Sequence, residues 1–424
     1  MLLEIKLEKA GLSSTEINTC IPGDVIPLIQ SFLGKEDFRR SLTVSKQFYQ
    51  LEALRFNQIV IWASYMPIPR YLTKVKLITG DDDTIKNATQ LTYLDLSEND
   101  DVYEIGHLVH LKELDMNSNI LGSGLKNLDL ISLICNENVV HRNDIKHLIK
   151  LNRLTLFQQN MDWTVLKNFT QLEYLDVCQT NISDKNLLNV PNLKTLVCGN
   201  SKTLQDISCL QKLESLNLHP AGLCHIKNLA NLKELHCSET TTDDDLKNLI
   251  NLTSLDLTDS LVTRHGITHL INLKKLVINN HQFTPDFSKM KLQELDLSQM
   301  DACVIPIEQA PTLEKLMLAP VVVFDTSKMN RFTKLRYLET NGNVTDAFVN
   351  KLSSLKHLRI NDPEILSGKF LTKLPNLKYL EIYGMNYLPD KKIAQFMKYV
   401  KAAKLEAFLN DDFPEESFGE IPDL

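Results

Sequence analysis

LTYLDLSENDDVYEIGHLVHLKELDM, residues 91–116, carries the pattern LxxLxL twice, from Leu91 and from Leu111, with Leu108 three residues ahead of the second copy. The pattern returns as LNRLTL from Leu151, LEYLDV from Leu172 and LESLNL from Leu213. Counted by the first apolar residue of each unit, copies start at 72, 91, 111, 130, 151, 172, 193, 213, 232, 252, 273, 292, 313, 335, 355 and 377. These sixteen starts have a mean spacing of 20.3 residues, the mark of a repeat array. A single unit of this length cannot bury its own leucines, so each must stack on its neighbours. Side chains alternate along a strand, so the fourth and sixth places point into the coil while the fifth, and the place just after the sixth, project from the other face.

Composition agrees with that reading. Leucine fills 71 of 424 positions while glycine and proline number only 14 and 15, below average usage for both. With 43% hydrophobic and 23% charged residues, the balance is that of a globular chain, which excludes disorder and fibre. A second apolar set about three residues before each new unit (Leu108, Leu148, Phe169, Val190, Leu210, Leu229, Leu249, Leu270, Leu352, Leu374) is expected to close the core from the opposite side. Cys135, Cys198 and Cys237 fall at the sixth place, where they serve as small apolar fillers. None of the eight cysteines forms a CxxC pair, as suits reduced thiols in a cytosol.

LxxLxL at this period identifies the chain as similar to leucine-rich-repeat proteins over about three quarters of its length. The resemblance implies an α/β solenoid, with a parallel sheet on a concave face and short helices or turns on the convex face. In that family an Asn separated by two residues from the last leucine satisfies backbone groups at the turn. Asn99, Asn119, Asn138 and Asn343 keep it, and Gln159, Thr180, Ser201, Thr240 and Ser260 are partial substitutes. Ala221, Met300, Val321 and Met385 cannot hydrogen-bond in that way, so regularity is expected to loosen after about residue 280.

The ends lack the repeat. IPGDVIPLIQSFLGKEDFRRSLTVSKQFYQL, residues 21–51, resembles an F-box: Ile21-Pro22, the apolar stripe Val25, Ile26, Ile29, Phe32 and Leu33, then Asp37-Phe38, Val44-Ser45-Lys46, Phe48 and Leu51. Many F-boxes have Leu where Ile21 stands and Trp where Phe48 stands, and Pro27 is tolerated only in a first helical turn. A three-helix element this small needs a neighbour to share its apolar residues. At the other end PDKKIAQFMKYVKAAKL from Pro389 places Ile393, Phe396, Met397, Val400 and Ala403 at helical spacing, which predicts a capping helix, with a last strand over 405–409. The expected organisation is an extension over 1–20, an F-box-like element over 21–55, the solenoid over 56–388, a cap over 389–410 and an acidic tail over 411–424.

Six carboxylates crowd the last fourteen residues, and they account for nearly all of the net charge of −7. The near-neutral remainder offers no general attraction for nucleic acid or an anionic membrane, so neither is an expected partner. No apolar run reaches membrane-spanning length, and MLLEIKLEKAGL is too charged for a secretory signal. A cytoplasmic protein is expected, unless machinery that needs no such signal exports it. The tail DDFPEESFGEIPDL resembles the acidic carboxy-terminal signals of bacterial type IV secretion effectors, which would place the protein in a host-cell cytosol.

No catalytic constellation, cofactor motif or metal site is legible. His107 with His110 and His265 with His269 have helical spacing but lack a third ligand. The expectation is therefore a non-enzyme without cofactors, working through its surfaces. The F-box resemblance implies docking on the Skp-type adaptor of a cullin–RING ubiquitin ligase through Ile21, Pro22, Val25, Ile26, Ile29, Phe32, Leu33, Phe38, Val44 and Phe48. On the concave face, acidic and aromatic residues mark candidates for holding a target protein: Tyr93, Asp95, Asp115, Phe157, Tyr174 and Asp176 in one cluster, Tyr337, His357, Tyr379 and Tyr383 in another. The chain is expected to be monomeric apart from the adaptor. The alternative is an interaction scaffold without a ubiquitin role, its amino-terminal helices serving only as a cap.

Overall fold

The computed structural model describes residues 59–410, apart from 63–67, 69–71, 117–121, 137–139, 158–160, 202, 220–224, 280–286, 301–302, 305–306, 319–321, 324–325, 342–344, 362–366, 384–389 and 404–405. The adaptor-docking candidates from Ile21 to Phe48 and the acidic tail 411–424 lie outside the described residues. The chain divides into two units between Leu172 and Glu173.

In the first unit each LxxLxL supplies one short strand. These are β2 (Lys74–Thr79), β3 (Tyr93–Leu96), β4 (Glu113–Met116), β5 (Ser132–Asn136) and β6 (Arg153–Phe157), preceded by β1 (Ile59–Trp62). All pair in parallel and in the same repeat register, so Leu94 faces Leu114, Leu114 faces Leu133 and Leu133 faces Leu154. The sheet begins one strand before the first LxxLxL: IVIW of β1 pairs with β2, Ile59 opposite Val75. On the opposite side lie α1 (Asp82–Ile85), α2 (Arg142–Ile145) and a 3-10 turn, Trp163–Asn168.

The second unit continues the rule. Its strands are β7 (Tyr174–Asp176), β8 (Thr195–Val197), β9 (Ser215–Asn217), β10 (Glu234–His236), β11 (Ser254–Asp256), β12 (Lys275–Val277) and β13 (Glu294–Asp296). After these come β15 (Lys315–Met317), β17 (Tyr337–Asn341), β18 (His357–Asn361), β19 (Tyr379–Tyr383) and β20 (Glu406–Asn410), while β14 (Cys303–Val304) and β16 (Val322–Val323) pair only with each other. Fourth-place leucines again stack one on the next, from Leu175 opposite Leu196 to Leu358 opposite Leu380, and β20 adds Ala407 opposite Leu380. The opposite side carries α3 (Asp184–Leu187), α4 (Asp243–Leu246), α5 (Arg264–Ile267) and α6 (Asp346–Val349). With its parallel strands, its short helices and a buried residue, most often leucine, at each consensus place, the fold is a leucine-rich-repeat solenoid.

The core follows the repeat. First-, fourth- and sixth-place residues are buried, as is the second apolar set from Leu108 to Leu374, and Cys135, Cys198 and Cys237 fill their sixth places. Burial pushes the Cys135 thiol up to about 12, so it stays protonated and acts as a packing residue. The expected loosening after residue 280 does not reach the main sheet. Strands β17 to β20 are five residues long against three in β7 to β13, and the change falls on the connecting side, where the small β14–β16 sheet and the 3-10 turns Thr326–Arg331 and Lys369–Lys373 replace regular helices.

Backbone groups on the connecting side cannot pair as strands do, and side chains reaching into the neighbouring repeat satisfy them. Asn99 keeps the family's role: its amide donates to the Gly80 carbonyl at 3.0 Å and accepts from the Asp101 and Val102 amides, also at 3.0 Å. Three further ties were not foreseen. Asn231, Asn251 and Asn272, each just before a first-place leucine, donate to the carbonyls of Gln211, Ala230 and Ile250 at 2.8, 2.8 and 2.9 Å. His107, His147 and His269 donate Nε2–H to the carbonyls of Ile85, Leu125 and Leu246. Asp82 Oδ1 accepts the Tyr103 and Glu104 amides, and Asp243 Oδ1 accepts that of Thr263 at 2.7 Å.

The carboxy-terminal helix expected from Pro389 is α7 (Asp390–Ala403). It buries Phe396 and Val400, and the Phe396 ring lies 6.0 Å from that of Phe370. Close approach there depends on Gly368, whose φ is +78° and whose added Cβ would stand 3.0 Å from the Phe396 ring.

Gly266 tests the aspartate tie. Replacing a helical glycine by alanine ordinarily stabilises by about 1 kcal/mol. A Cβ on Gly266 of α5 would instead lie 2.3 Å from Asp243 Oδ1, whose position is fixed by Thr263. Gly266→Ala is therefore expected to lower the urea midpoint. The same substitution in an Asp243→Ala background should cost less or stabilise, and equal loss in both backgrounds would show that the aspartate is not the obstacle.

Candidate protein-binding face

The parallel register turns one repeat position into a row of side chains running across neighbouring strands, about 4.8 Å apart. Three such rows lie on the outer face of each unit's sheet: the third, fifth and seventh places of the repeat. Most of the sequence-derived candidates fall on these rows.

In the first unit Tyr93 and Asp95 stand on β3 and Asp115 lies opposite Asp95 on β4. Asp95 is not exposed as expected: it is 6% accessible, and Oδ1 accepts the Ser97 amide and hydroxyl at 2.9 and 2.7 Å. Lys76, in register on β2, places Nζ 3.7 Å from Asp95 and 2.6 Å from Glu98. Asp115 receives no comparable support, and its buried Oδ1 has no hydrogen-bond partner among the described residues. Phe157 does not join this group. It sits at the end of β6, three strands beyond β3.

In the second unit Tyr174 and Asp176 occupy β7, where Asp176 Oδ1 accepts the Cys178 amide at 3.2 Å. Further along, His236 Nδ1 lies 3.4 Å from Asp256 on the next strand, and Asp296 is 7% accessible, its Oδ1 taken by the Ser298 amide. The fifth-place Asp is therefore used locally in several repeats, curling back onto the amide two residues on.

Strands β17 to β19 bring Tyr337, His357, Tyr379 and Tyr383 together. Tyr337, His357 and Tyr379 are consecutive in the third-place row, with ring centroids 4.8 and 5.7 Å apart. The fifth-place row beside them alternates in charge, Glu339, Arg359, Glu381. Tyr337 donates its hydroxyl to Glu339 at 3.0 Å, His357 donates Nε2–H to Glu381 at 2.7 Å, and Tyr383 donates to Glu381 at 3.3 Å. Arg359 lies between the two glutamates, with Nε 3.5 Å from Glu339 and 3.8 Å from Glu381, and its guanidinium is 4.7 Å from the Tyr383 ring centre. Asn361 donates to Glu339 at 3.3 Å, and Lys315 on β15 holds Nζ 5.1 Å from the Tyr337 ring centre.

Electrostatics follow from these contacts. The His357 hydrogen bond, with help from Arg359, holds the Glu381 carboxyl below the ordinary glutamate range against the opposing pull of burial. Burial raises the Tyr337 hydroxyl, which stays protonated and able to donate. Tyr337 is only 2% accessible, so it supports the array from beneath, while Tyr379 is 41% exposed. Sequence reasoning named the four aromatic candidates but not the role of Glu339, Arg359 and Glu381 in joining them, nor Lys315 and Asn361. The usable signal was the shared repeat position, which register converts into contact.

Among the described residues no group of three or more His, Cys, Asp and Glu side chains is placed to hold a metal ion. His107 and His269 are engaged with carbonyls, and His265 approaches Thr263. Burial pushes the Cys178 thiol up to about 12.

Burial, then the Asp95 charge, push the Asp115 carboxyl up to about 6, against the pull of Lys76. An acid raised in the folded state favours the native protein while protonated, and the native protein loses that advantage as pH rises through about 6. Asp115→Asn should therefore be more stable than wild type at pH 8 and indistinguishable from it near pH 4, measured by urea midpoints. A gap independent of pH would contradict the assignment.

No protein-family model matches the sequence, and no curated protein matches it. Among solved structures the chain is similar to a leucine-rich-repeat protein of Leptospira interrogans, at 23% identity over 81% of this chain and 93% of that one, TM-score 0.48. It is similar to an internalin of Listeria monocytogenes at 19% identity over 94% and 98%, TM-score 0.42. It is also similar to a chain of the Drosophila Toll–Spatzle complex at 16% identity over 67% and 48%, TM-score 0.43.

Proposed function

We propose that this solenoid is a non-catalytic interaction module that holds a target protein on the outer face of its sheet. The observation that carries the reading is the array on β17 to β19, where aromatic rings and charged groups are fixed by one another before any partner arrives. Such preorganisation lowers the entropic cost of association, and tyrosine and arginine are the residue types that dominate binding energy in protein interfaces.

The F-box-like segment extends the proposal. Ile21, Pro22, Val25, Ile26, Ile29, Phe32, Leu33, Phe38, Val44 and Phe48 would dock on the Skp-type adaptor of a cullin–RING ubiquitin ligase, making the chain a substrate receptor working in the cytosol. The acidic tail 411–424 supports a secreted effector using a host cell's ligase. This part of the reading rests on sequence resemblance.

Binding of the purified full chain to a purified Skp-type adaptor tests it, wild type against an Ile21→Ala, Pro22→Ala double variant, with circular dichroism of both. Receptor function predicts adaptor binding that the double variant loses while its spectrum is unchanged. A folded wild type that does not bind contradicts the ubiquitin role and leaves an interaction scaffold.

A further inference from the structure

The β17–β19 array has a repeated internal motif, a cation placed on a tyrosine ring. Lys315 Nζ stands 5.1 Å from the Tyr337 ring centre, and the Arg359 guanidinium stands 4.7 Å from that of Tyr383. Tyr379, the most exposed of the three rings at 41%, carries no such cation among the described residues. Its neighbour on one side is His357, 5.7 Å away, and His357 is bonded to Glu381, two residues along the same strand and on the same face as Tyr379. An exposed ring beside a carboxylate is suited to a desolvating cation, which gains from the ring quadrupole and the negative charge together.

The surroundings have the matching sign. Along the fifth-place row of the second unit Asp176, Asp256, Glu339 and Glu381 are partly exposed, and Arg359 is the single permanent cation of that row among the described residues. Arg359 is already placed between two glutamates and on Tyr383. An approaching acidic segment would meet the row's carboxylates, whereas a basic one would be drawn toward them.

We infer that the target presents a basic segment to this face and sets a lysine or arginine side chain on Tyr379, its charge beside the Glu381 carboxylate. The inference rests on the proposal that the face holds a target protein, and it names that target's chemistry.

Random peptides of about twelve residues, displayed on phage and selected on the folded full chain, test both levels separately. Selected peptides are then measured by fluorescence anisotropy against wild type, Tyr379→Ala, Tyr379→Phe and Glu381→Gln, each checked by circular dichroism. The expected result is enrichment of Lys and Arg, with binding weakened roughly three- to tenfold by Tyr379→Ala, nearly retained by Tyr379→Phe, and reduced by added salt. Selection of acidic or uncharged peptides that still depend on Tyr379 would overturn the basic-partner inference while leaving the binding face in place. Basic peptides bound equally by Tyr379→Ala and Glu381→Gln would overturn the subsite. If no peptide is selected, or none responds to any of the substitutions, both the inference and the face fall.

Discussion

The structure depends on one constraint: a repeat of about twenty residues has too little interior to bury its own leucines. Within each unit, fourth-place leucines therefore lie against the fourth-place leucines of neighbouring repeats, as Leu235 does against Leu255 and Leu255 against Leu276. That contact fixes strand register, since a slip of one residue would turn Leu255 outward and Asp256 inward. Once register is fixed, position in the repeat decides position on the face. The rows of charge and aromatic side chains on β17 to β19 follow from the same leucines that form the core.

The connecting side solves a different problem. Strands satisfy one another's backbone groups, but the short helices and turns opposite them leave amides and carbonyls that no neighbouring strand can meet. At fixed repeat positions asparagine and histidine reach one repeat back and aspartate one repeat forward to meet them, as in Asn251 to Ala230, His269 to Leu246 and Asp243 to Thr263. These ties give histidines at helical spacing a structural role. His269 is committed to a carbonyl, and its partner in the HxxxH pair, His265, turns toward Thr263.

Much of this was legible in the sequence because leucine burial is a local, periodic rule. LxxLxL located the repeat strands, the apolar set from Leu108 to Leu374 located the opposite wall of the core, and the spacing of Ile393, Phe396 and Val400 located α7. What periodicity does not encode is what the projecting side chains do. Asp95 and Asp296 curl onto nearby amides and leave solvent, and Tyr337 is covered by its neighbours, although all three occupy places that the pattern marks as exposed. Tyr93 and Phe157, grouped in one cluster by sequence, stand three strands apart. The strand β1 was missed because IVIW has no leucine pattern, and the loss of regularity expected after about residue 280 falls on the connecting side.

Register is the claim on which both the core and the binding face stand, and cross-linking tests it directly. Glu339 and Arg359 lie opposite each other on β17 and β18, so cysteines at these two positions would have Cα atoms about 4.8 Å apart, within disulfide reach. The Glu339→Cys, Arg359→Cys variant should form that disulfide under mild oxidation, mapped by mass spectrometry, while Glu339→Cys paired with Asn361→Cys, displaced by two residues, should form far less. Preferential cross-linking of the displaced pair would contradict the register and, with it, the rows that make the face.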